Sequence, residues 1–320
     1  MTLAAAAVST DRIELGTNIA AALVRNPMTT AHLGWDLQML SSGRFILGLG
    51  SQIRPHVTRR FSMPWSQPAA RMEEYVAALH AIWDVWEDGG KLNFRGDYYQ
   101  HTLMTPIFVP PPQVHGRPKV YMGAVGPLMT RTAGRAADGL LCHSLATADY
   151  LPSVALPAVR QGQQATGRPD GSVSIAVSPL VVAADTVESY EAQCQGTRRT
   201  IAFSGTVPAY RTLFEHHGWS DACDDLRGLA GLGRWADMPD VIDDEMLRTF
   251  AAVGAPDEAA GILVGRFGGL ADRLALVTTF DSGSDRPRTE RSEWAILLEH
   301  LRDAVYAKNT APEASVRPPG

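Results

Sequence analysis

Short apolar segments alternate with longer amphipathic segments along most of this chain. Residues 45–50, FILGLG, form an apolar run of the kind that a parallel strand buried on both faces requires. Further strands are predicted at residues 12–20, 119–123, 140–142, 172–183 and 273–278, and helices at 27–40, 68–86, from Pro127, at 149–166, from Pro256 and at 292–306. Repeated strand–helix units predict an α/β fold with a parallel sheet. On pattern alone, six strands fit a doubly wound sheet and a barrel that lacks two strands equally well.

Local signals set several of these boundaries. Asn26 is placed to cap the helix that starts at Pro27, and Gly43 is placed to end it in the left-handed conformation. Residues 186–250 are predicted to be mostly helical. The Pro- and Ala-rich tail, residues 309–320, is predicted to be disordered.

The glycine-rich end of the 45–50 strand is the first candidate for chemistry. Gly48 and Gly50 carry no side chain, so the backbone amides of Ser51 and Gln52 can point at an anion. Ligands of parallel α/β folds bind at the carboxyl ends of the strands. The segment is therefore interpreted as a cofactor-phosphate loop, and a plain strand end is the alternative.

Composition excludes several classes of function. The 320 residues carry a net charge of −5, which gives no electrostatic footprint for nucleic acid. No segment approaches the roughly 20 apolar residues of a membrane span, and the first residues lack the basic start of a signal peptide. Three widely spaced cysteines without zinc-type spacing predict free thiols, a cytoplasmic location and no metal site.

The order of several motifs decides between the two architectures. GTNIAAALVRNP, LSSGRFILGLGS, RMEEYVAALHAIW and YMGAVGPLMTRTAGRAADGLL follow one another here. Together they resemble the bacterial luciferase-like flavin and deazaflavin oxidoreductases, within them the coenzyme F-420-dependent branch of actinobacteria. The resemblance implies a TIM (β/α)8 barrel over residues 1–280, with a helical insertion at about 186–252 before the last strand. A C-terminal helix at 281–308 and the tail follow.

The resemblance also implies positions that bind the cofactor. In the family, a bulge with a non-proline cis peptide presses on the face of the cofactor ring, and two loops hold its phosphate. The matching residues are Thr17, Asn18 and Ile19 for the bulge, with the cis bond between Asn18 and Ile19; Gly50, Ser51 and Gln52 for the first loop; Val125, Gly126, Pro127, Leu128 and Met129 for the second; and Cys142 beside the ring. A small buried hydrophobic residue is the alternative for Cys142.

No catalytic residue follows from the resemblance. The chain starts where the second helix of the family lies, so the first two strands are expected to be missing, together with the acidic or histidine residue that ends the second. His56 and His143 are candidates from their chemistry, because histidine titrates near neutral pH. Hydrogen-bonded loop histidines are the alternative for both.

Other polar residues favour structural roles. His101 is interpreted as part of a loop, His216 and His217 as loop residues, and Trp35, Trp83 and Trp86 as core residues. The carboxylates of Asp243, Asp244 and Glu245 are expected on a solvated helix face. Arg54, Arg59 and Arg60 follow the first loop, and a basic rim there favours a deazaflavin, whose tail is polyglutamate, over FMN. A solvated surface cluster is the alternative for these arginines.

The leading hypothesis is therefore an oxidoreductase that transfers hydride between F-420 and a small organic substrate. An FMN-dependent monooxygenase and a non-catalytic paralogue or subunit are the alternatives. An aldolase or isomerase would need a lysine or carboxylate at a strand end, and the predicted strand ends offer none. Because family members usually pair, a homodimer is expected as one option, with no nucleic-acid or membrane partner.

Overall fold

The computed structural model describes residues 1–277 and 293–310, the last five of these by their backbone only. The chain divides into two compact units. The first contains Met1–His143 and Leu151–Ala176, and the second contains Ser144–Tyr150 and Val177–Gly320.

The first unit alternates strands and helices. Its helices are α1 (Thr2–Ser9), α2 (Pro27–Leu40), α3 (Pro68–Asp88), α4 (Pro127–Ala136) and α5 (Leu156–Ala165). Its strands are β1 (Leu15–Gly16), β2 (Ala20–Ala21), β3 (Phe45–Gly50), β4 (Phe94–Arg95), β5 (Gln100–His101), β6 (Lys119–Ala124), β7 (Gly139–Cys142) and β8 (Ser174–Val177).

A parallel sheet forms the centre of this unit. Its strand order is β1-β3-β6-β7-β8, with β2 also paired to β3. Phe45, Leu47 and Leu49 of β3 are buried, as the apolar run predicts for a central parallel strand. β4 and β5 form a separate antiparallel hairpin.

Local signals place α2 as predicted. The Asn26 side chain accepts a hydrogen bond from the Met28 amide at 2.8 Å, and Pro27 is the first helical residue. At the other end Gly43 has φ +84°, and its N–H donates to the carbonyl oxygen of Gln38 at 2.9 Å. A side chain would oppose that left-handed backbone, which explains the glycine.

The three tryptophans lie in the core, as predicted. Trp35 and Trp83 are fully buried, and Trp86 is nearly so. The indole groups of Trp83 and Trp35 have hydrogen-bond partners in the core: Trp83 Nε1 donates to the carbonyl oxygen of Ala31 at 3.2 Å. Trp35 Nε1 donates to the carbonyl oxygen of Pro111 at 3.1 Å.

The helix predicted near residues 149–166 is confirmed, because a helical turn over Leu151–Ala155 leads directly into α5. Two other predictions in the first unit were wrong in detail. The strand predicted at residues 12–20 is limited to β1 and β2. The apolar residues of the helix that begins at Pro127 predict that Leu128 lies on its inner face. Leu128 is instead 64% exposed, because α4 buries its small residues, Thr130, Thr132, Ala133 and Gly134.

The second unit is mainly helical. Its helices are α6 (Val187–Gly205), α7 (Arg211–Glu215), α8 (Ser220–Gly231), α9 (Asp244–Phe250), α10 (Pro256–Phe267) and α11 (Glu293–Thr310), and its strands are β9 (Leu180–Ala183), β10 (Ala251–Gly254) and β11 (Arg273–Leu274). β9 and β10 pair in parallel. The predicted helical segment is confirmed as far as Phe250.

Strand predictions in this unit need correction. Residues 172–183 form two strands, β8 and β9, because Pro179 between them has no N–H for a sheet. β10 was not predicted, since Ala251–Gly254 follows α9 without a turn signal. The strand predicted at 273–278 is limited to β11, although Val277 N–H donates to the carbonyl oxygen of Pro179. Thr278 and the tail beyond residue 310 lie outside the described residues.

Within the described ranges, no helix has both the length and the apolar composition needed to cross a membrane.

Candidate functional site

Two loops meet at one edge of the sheet in the first unit. β3 and β6 are parallel neighbours in which Leu49 pairs with Met122. The first anion loop (residues 50–52) and the second anion loop (residues 125–129) therefore both follow carboxyl ends of strands about 4.8 Å apart. The two loops therefore lie next to each other at the carboxyl ends of neighbouring strands.

A bulge lies beside the first anion loop. Gly16 pairs with Ile46 and Ala20 with Leu49, so the three residues Thr17, Asn18 and Ile19 oppose the two residues between Ile46 and Leu49. One extra residue in a strand is the definition of a β-bulge. The peptide bond between Asn18 and Ile19 is cis, as predicted.

Glycines make room for this bulge. A Cβ atom on Gly48 would lie 1.8 Å from the Thr17 carbonyl oxygen, and one on Gly50 would lie 2.8 Å from two carbon atoms of the Ile19 side chain. A Cβ atom on Gly123 would lie 3.0 Å from Ile19 Cγ2. Since none of the three has a positive φ, space rather than backbone freedom explains these glycines.

The first anion loop exposes backbone in an unusual conformation. Gln52 has φ +61°, which turns the chain sharply after β3. The Ser51 hydroxyl donates to the Gln52 carbonyl oxygen at 3.0 Å, and both residues are half-buried. Successive amides in such a turn form a concave anion site.

The second anion loop is the start of α4. Gly126 is the N-cap residue and Pro127 the first helical residue, and no side chain caps the helix. The first amides of a helix have no partner within it, and the helix dipole favours an anion there. A Cβ atom on Gly126 would meet nothing within 4 Å, so the space before these amides is open. The residues of both loops fit a phosphate group.

Cys142 is the last residue of β7, and His143 follows it in the same unit. Cys142 is 5% exposed, and burial raises the pKa of its thiol to about 12. Burial lowers the pKa of His143 to about 4, so the imidazole is neutral near pH 7. This argues against His143 as the proton donor and is compatible with Cys142 as a small apolar wall.

Basic side chains follow the first anion loop. Arg54, Arg59 and Arg60 are exposed, and none of them forms an ion pair with another residue that the structure describes. His56 is half-buried in a turn closed by a 3.0 Å hydrogen bond from the Phe61 amide to its carbonyl oxygen. The three guanidinium groups are therefore available to an acidic ligand.

The remaining candidates have structural surroundings. His101 belongs to the β4–β5 hairpin, with its ring 6.5 Å from that of Phe94. Asp243 caps α9 by accepting from the Met246 amide at 2.8 Å, and Asp244 pairs with Arg198. Across the residues described, no group of three or more His, Cys, Asp or Glu is arranged to hold a metal ion.

The second unit contains a cavity of about 490 Å³ that the sequence did not reveal. Arg266 lies in its wall and donates to the carbonyl oxygens of Arg248 at 2.6 Å and Ala251 at 2.9 Å. Thr147 Oγ1 lies 3.0 Å from His217 Nε2. The polar and aromatic lining includes Thr147, Asp149, Glu245, Arg248, Phe250 and Arg266. These residues come from distant segments, so no spacing pattern could have indicated the cavity.

Comparison with known proteins is consistent with this geometry. The family model of the luciferase-like monooxygenases matches residues 1–272. An uncharacterized protein of Mycobacterium tuberculosis is 49% identical over 269 residues, 84% of this chain and 79% of the relative. The 5,10-methylenetetrahydromethanopterin reductase of Methanopyrus kandleri is 28% identical over 80% of this chain and 74% of the relative.

Solved structures show the same fold. The coenzyme F-420-dependent tetrahydromethanopterin reductase of Methanopyrus kandleri has a TM-score of 0.74 at 22% identity, covering 93% of this chain and 84% of that chain. The oxygenating constituent of 3,6-diketocamphane monooxygenase of Pseudomonas putida, solved with FMN, has a TM-score of 0.64 at 18% identity, covering 96% and 82%.

The chain therefore belongs to the luciferase-like monooxygenase family. Its fold class is the α/β, TIM-barrel-type fold of that family, as predicted. The family contains both F-420-dependent reductases and FMN-dependent monooxygenases that act on small molecules.

Proposed function

We propose that this protein is an oxidoreductase that transfers hydride between coenzyme F-420 and a small organic substrate. The observation that carries the proposal is the meeting of the two anion loops at the carboxyl ends of β3 and β6. Neither loop alone distinguishes a ligand site from an ordinary strand end. Two loops with open backbone amides at one edge match the needs of a phosphate-bearing cofactor.

Each part of this edge has a role in the proposal. The amides of Ser51, Gln52 and Leu128 hold the phosphate. The Ile19 side chain, half-buried on Gly50 and Gly123, supplies an apolar surface for the cofactor ring. Cys142 is buried and uncharged, so it contributes an apolar surface that excludes water from the side of the ring site.

The cofactor, when bound, supplies the ring atom that accepts or donates hydride. The residues described here orient that ring and exclude water from it. The exposed Arg54, Arg59 and Arg60 attract the acidic tail of F-420, which FMN does not have. These arginines, and the relatives named F420-dependent glucose-6-phosphate dehydrogenase, support F-420 over FMN.

FMN-dependent monooxygenation is the second candidate function. It is supported by the structural likeness to the Pseudomonas putida protein in complex with FMN. A flavin phosphate would use the same two anion loops. The arginines would then have no ligand group to contact.

Binding measurements separate these functions. Purified protein is titrated with oxidised F-420 and with FMN, and the cofactor absorbance, at about 420 nm for F-420, is followed. We expect tighter binding of F-420. Tighter binding of FMN would favour the second candidate, and binding of neither would favour a non-catalytic paralogue.

A charge variant tests the location of the site. Gly126→Glu places a carboxylate in open space at the start of α4, where it is compatible with the helix dipole but repels a phosphate. We expect the F-420 affinity to fall at least about tenfold, the factor that 1.4 kcal/mol represents. Gly261→Glu, on an exposed face of α10, is the matched control and should bind as the wild type does. Equal affinities of the two variants would contradict the proposed location.

A further inference from the structure

The Ile19 side chain lies across the ends of two strands. Its Cγ1 and Cδ1 atoms contact the Gly50 position on β3, and its Cγ2 atom contacts the Gly123 position on β6. The pairing of Leu49 with Met122 makes Gly50 and Gly123 neighbours across these strands. We call this pair of glycines the Ile19 seat.

Backbone conformation does not explain why the two positions of the Ile19 seat are glycines. Both glycines have a φ that any residue can adopt, so no turn requires them. The three atoms that would lie nearest to a Cβ atom at Gly50 all belong to the Ile19 side chain. The seat therefore determines how far the Ile19 side chain projects from the strand ends.

We propose that Gly50 and Gly123 are positioning residues that set the depth at which a planar cofactor ring binds over Ile19. This inference rests on the proposed function, since it needs the ring to lie at this edge. Because neither glycine carries a side chain, Ile19 packs against the strand backbone at both positions and is half-buried. A methyl group at either position pushes Ile19 outward into the space of the ring.

Gly48 differs from the seat and is unsuited to a test. A Cβ atom there would lie 1.8 Å from the Thr17 carbonyl oxygen. This oxygen belongs to the backbone of the bulge, so it can move away only if the bulge itself moves. At Gly50 the obstacle is the end of a flexible side chain, at 2.8 Å. Gly50→Ala is therefore expected to fold and to displace Ile19.

The test is a double-mutant cycle on cofactor affinity. The variants are Gly50→Ala, Ile19→Ala and the double variant, with melting temperatures recorded for each. We expect Gly50→Ala to weaken F-420 binding by about tenfold in the presence of Ile19 and by less than about twofold in the Ile19→Ala background. The absorbance spectrum of the bound cofactor should change in Gly50→Ala and return toward that of Ile19→Ala in the double variant.

Two controls separate positioning from general damage. Gly261→Ala, a helical glycine with open space around it, should leave the affinity unchanged. Gly123→Ala meets Ile19 from the second strand and should weaken binding in the same Ile19-dependent way. Gly123→Ala also tests the seat if Gly50→Ala alone is unstable.

Three outcomes would overturn the inference. Unchanged affinity in folded Gly50→Ala and Gly123→Ala would overturn it while leaving the proposed function intact. An equal loss with and without Ile19 would assign the effect to the anion loop instead. If the wild type binds neither F-420 nor FMN, the proposed function fails and the role of the seat in ring binding fails with it.

Discussion

The Thr17 hydroxyl donates a hydrogen bond to the Gly48 carbonyl oxygen at 2.6 Å and so joins the bulge to the central strand β3. Thr17→Val keeps the shape of the side chain but leaves that carbonyl oxygen without this donor. We expect the free energy of unfolding to fall by about 1 kcal/mol, measured by urea denaturation. Thr17→Ser retains the hydroxyl and should stay near the wild type. A serine variant as unstable as the valine variant would show that the hydroxyl is not responsible.

Glu74 of α3 holds the β4–β5 hairpin through its carboxylate. The two oxygens accept from the amides of Asp97, Tyr98 and Tyr99 at 2.9, 2.7 and 2.6 Å. Glu74→Gln removes the charge and turns an NH2 group toward these donors, so we expect about 1–3 kcal/mol less stability. Glu87→Gln, at an exposed position of the same helix, is the control. A similar loss in both variants would assign the effect to the helix.

His143 predicts a loss of stability in acid. Its folded pKa is about 4 because of burial, whereas the unfolded value is about 6.5. Between these values the unfolded state binds the proton and the folded state does not, so stability falls as the pH drops from about 6.5 to about 4. The pKa difference sets an upper limit of about 3 kcal/mol, and the residue's partial exposure to solvent lowers the expected loss below that limit.

Denaturation curves across this pH range check the role of His143. His143→Asn should lose less stability than the wild type on acidification. His300→Asn, at an exposed position of α11, should behave as the wild type does. An identical acid response of all three proteins would contradict the prediction.

The burial of the three cysteines predicts that thiol reagents modify the native protein slowly. Cys142, Cys194 and Cys223 are free and buried, and burial raises the pKa of each thiol. Because the thiolate is the reactive form, iodoacetamide at about pH 8 should modify the native protein very slowly. Mass spectrometry should find all three thiols modified after denaturation. Rapid labelling of one cysteine in the native state would refute its assigned environment.

The arginines after the first anion loop should distinguish the two cofactors. Replacing Arg54, Arg59 and Arg60 by serine should weaken F-420 binding and reduce its salt dependence, with little effect on FMN. The triple serine variant of Arg12, Arg160 and Arg199, all exposed, is a control of equal net charge. Equal effects of the two triple variants would indicate general electrostatics instead of contact with the tail.

Local sequence signals predicted much of the fold correctly. Asn26, Pro27 and Gly43 fixed α2 because caps and left-handed turns depend on a few neighbouring residues. The apolar run of β3 indicated a buried parallel strand for the same reason. The pattern failed where Pro179 interrupts an apolar segment and where β10 continues directly from α9.

The candidate site required more than local pattern. The resemblance to a family supplied the bulge and both anion loops, and β-pairing in the structure placed the loops on neighbouring strands. Leu128 was expected to face inward and is instead exposed. The cavity beside Arg266 had no sequence signal, because its residues are brought together from separate segments.

The sequence by itself determined the ends of α2 and the buried strand β3, because caps and short apolar runs act over a few neighbouring residues. Only the tertiary structure decided why Gly50 and Gly123 are glycines, since both are explained by one distant side chain, that of Ile19. Contacts of this kind depend on how strands pair across long stretches of chain. The amino-acid sequence alone does not show which strands pair.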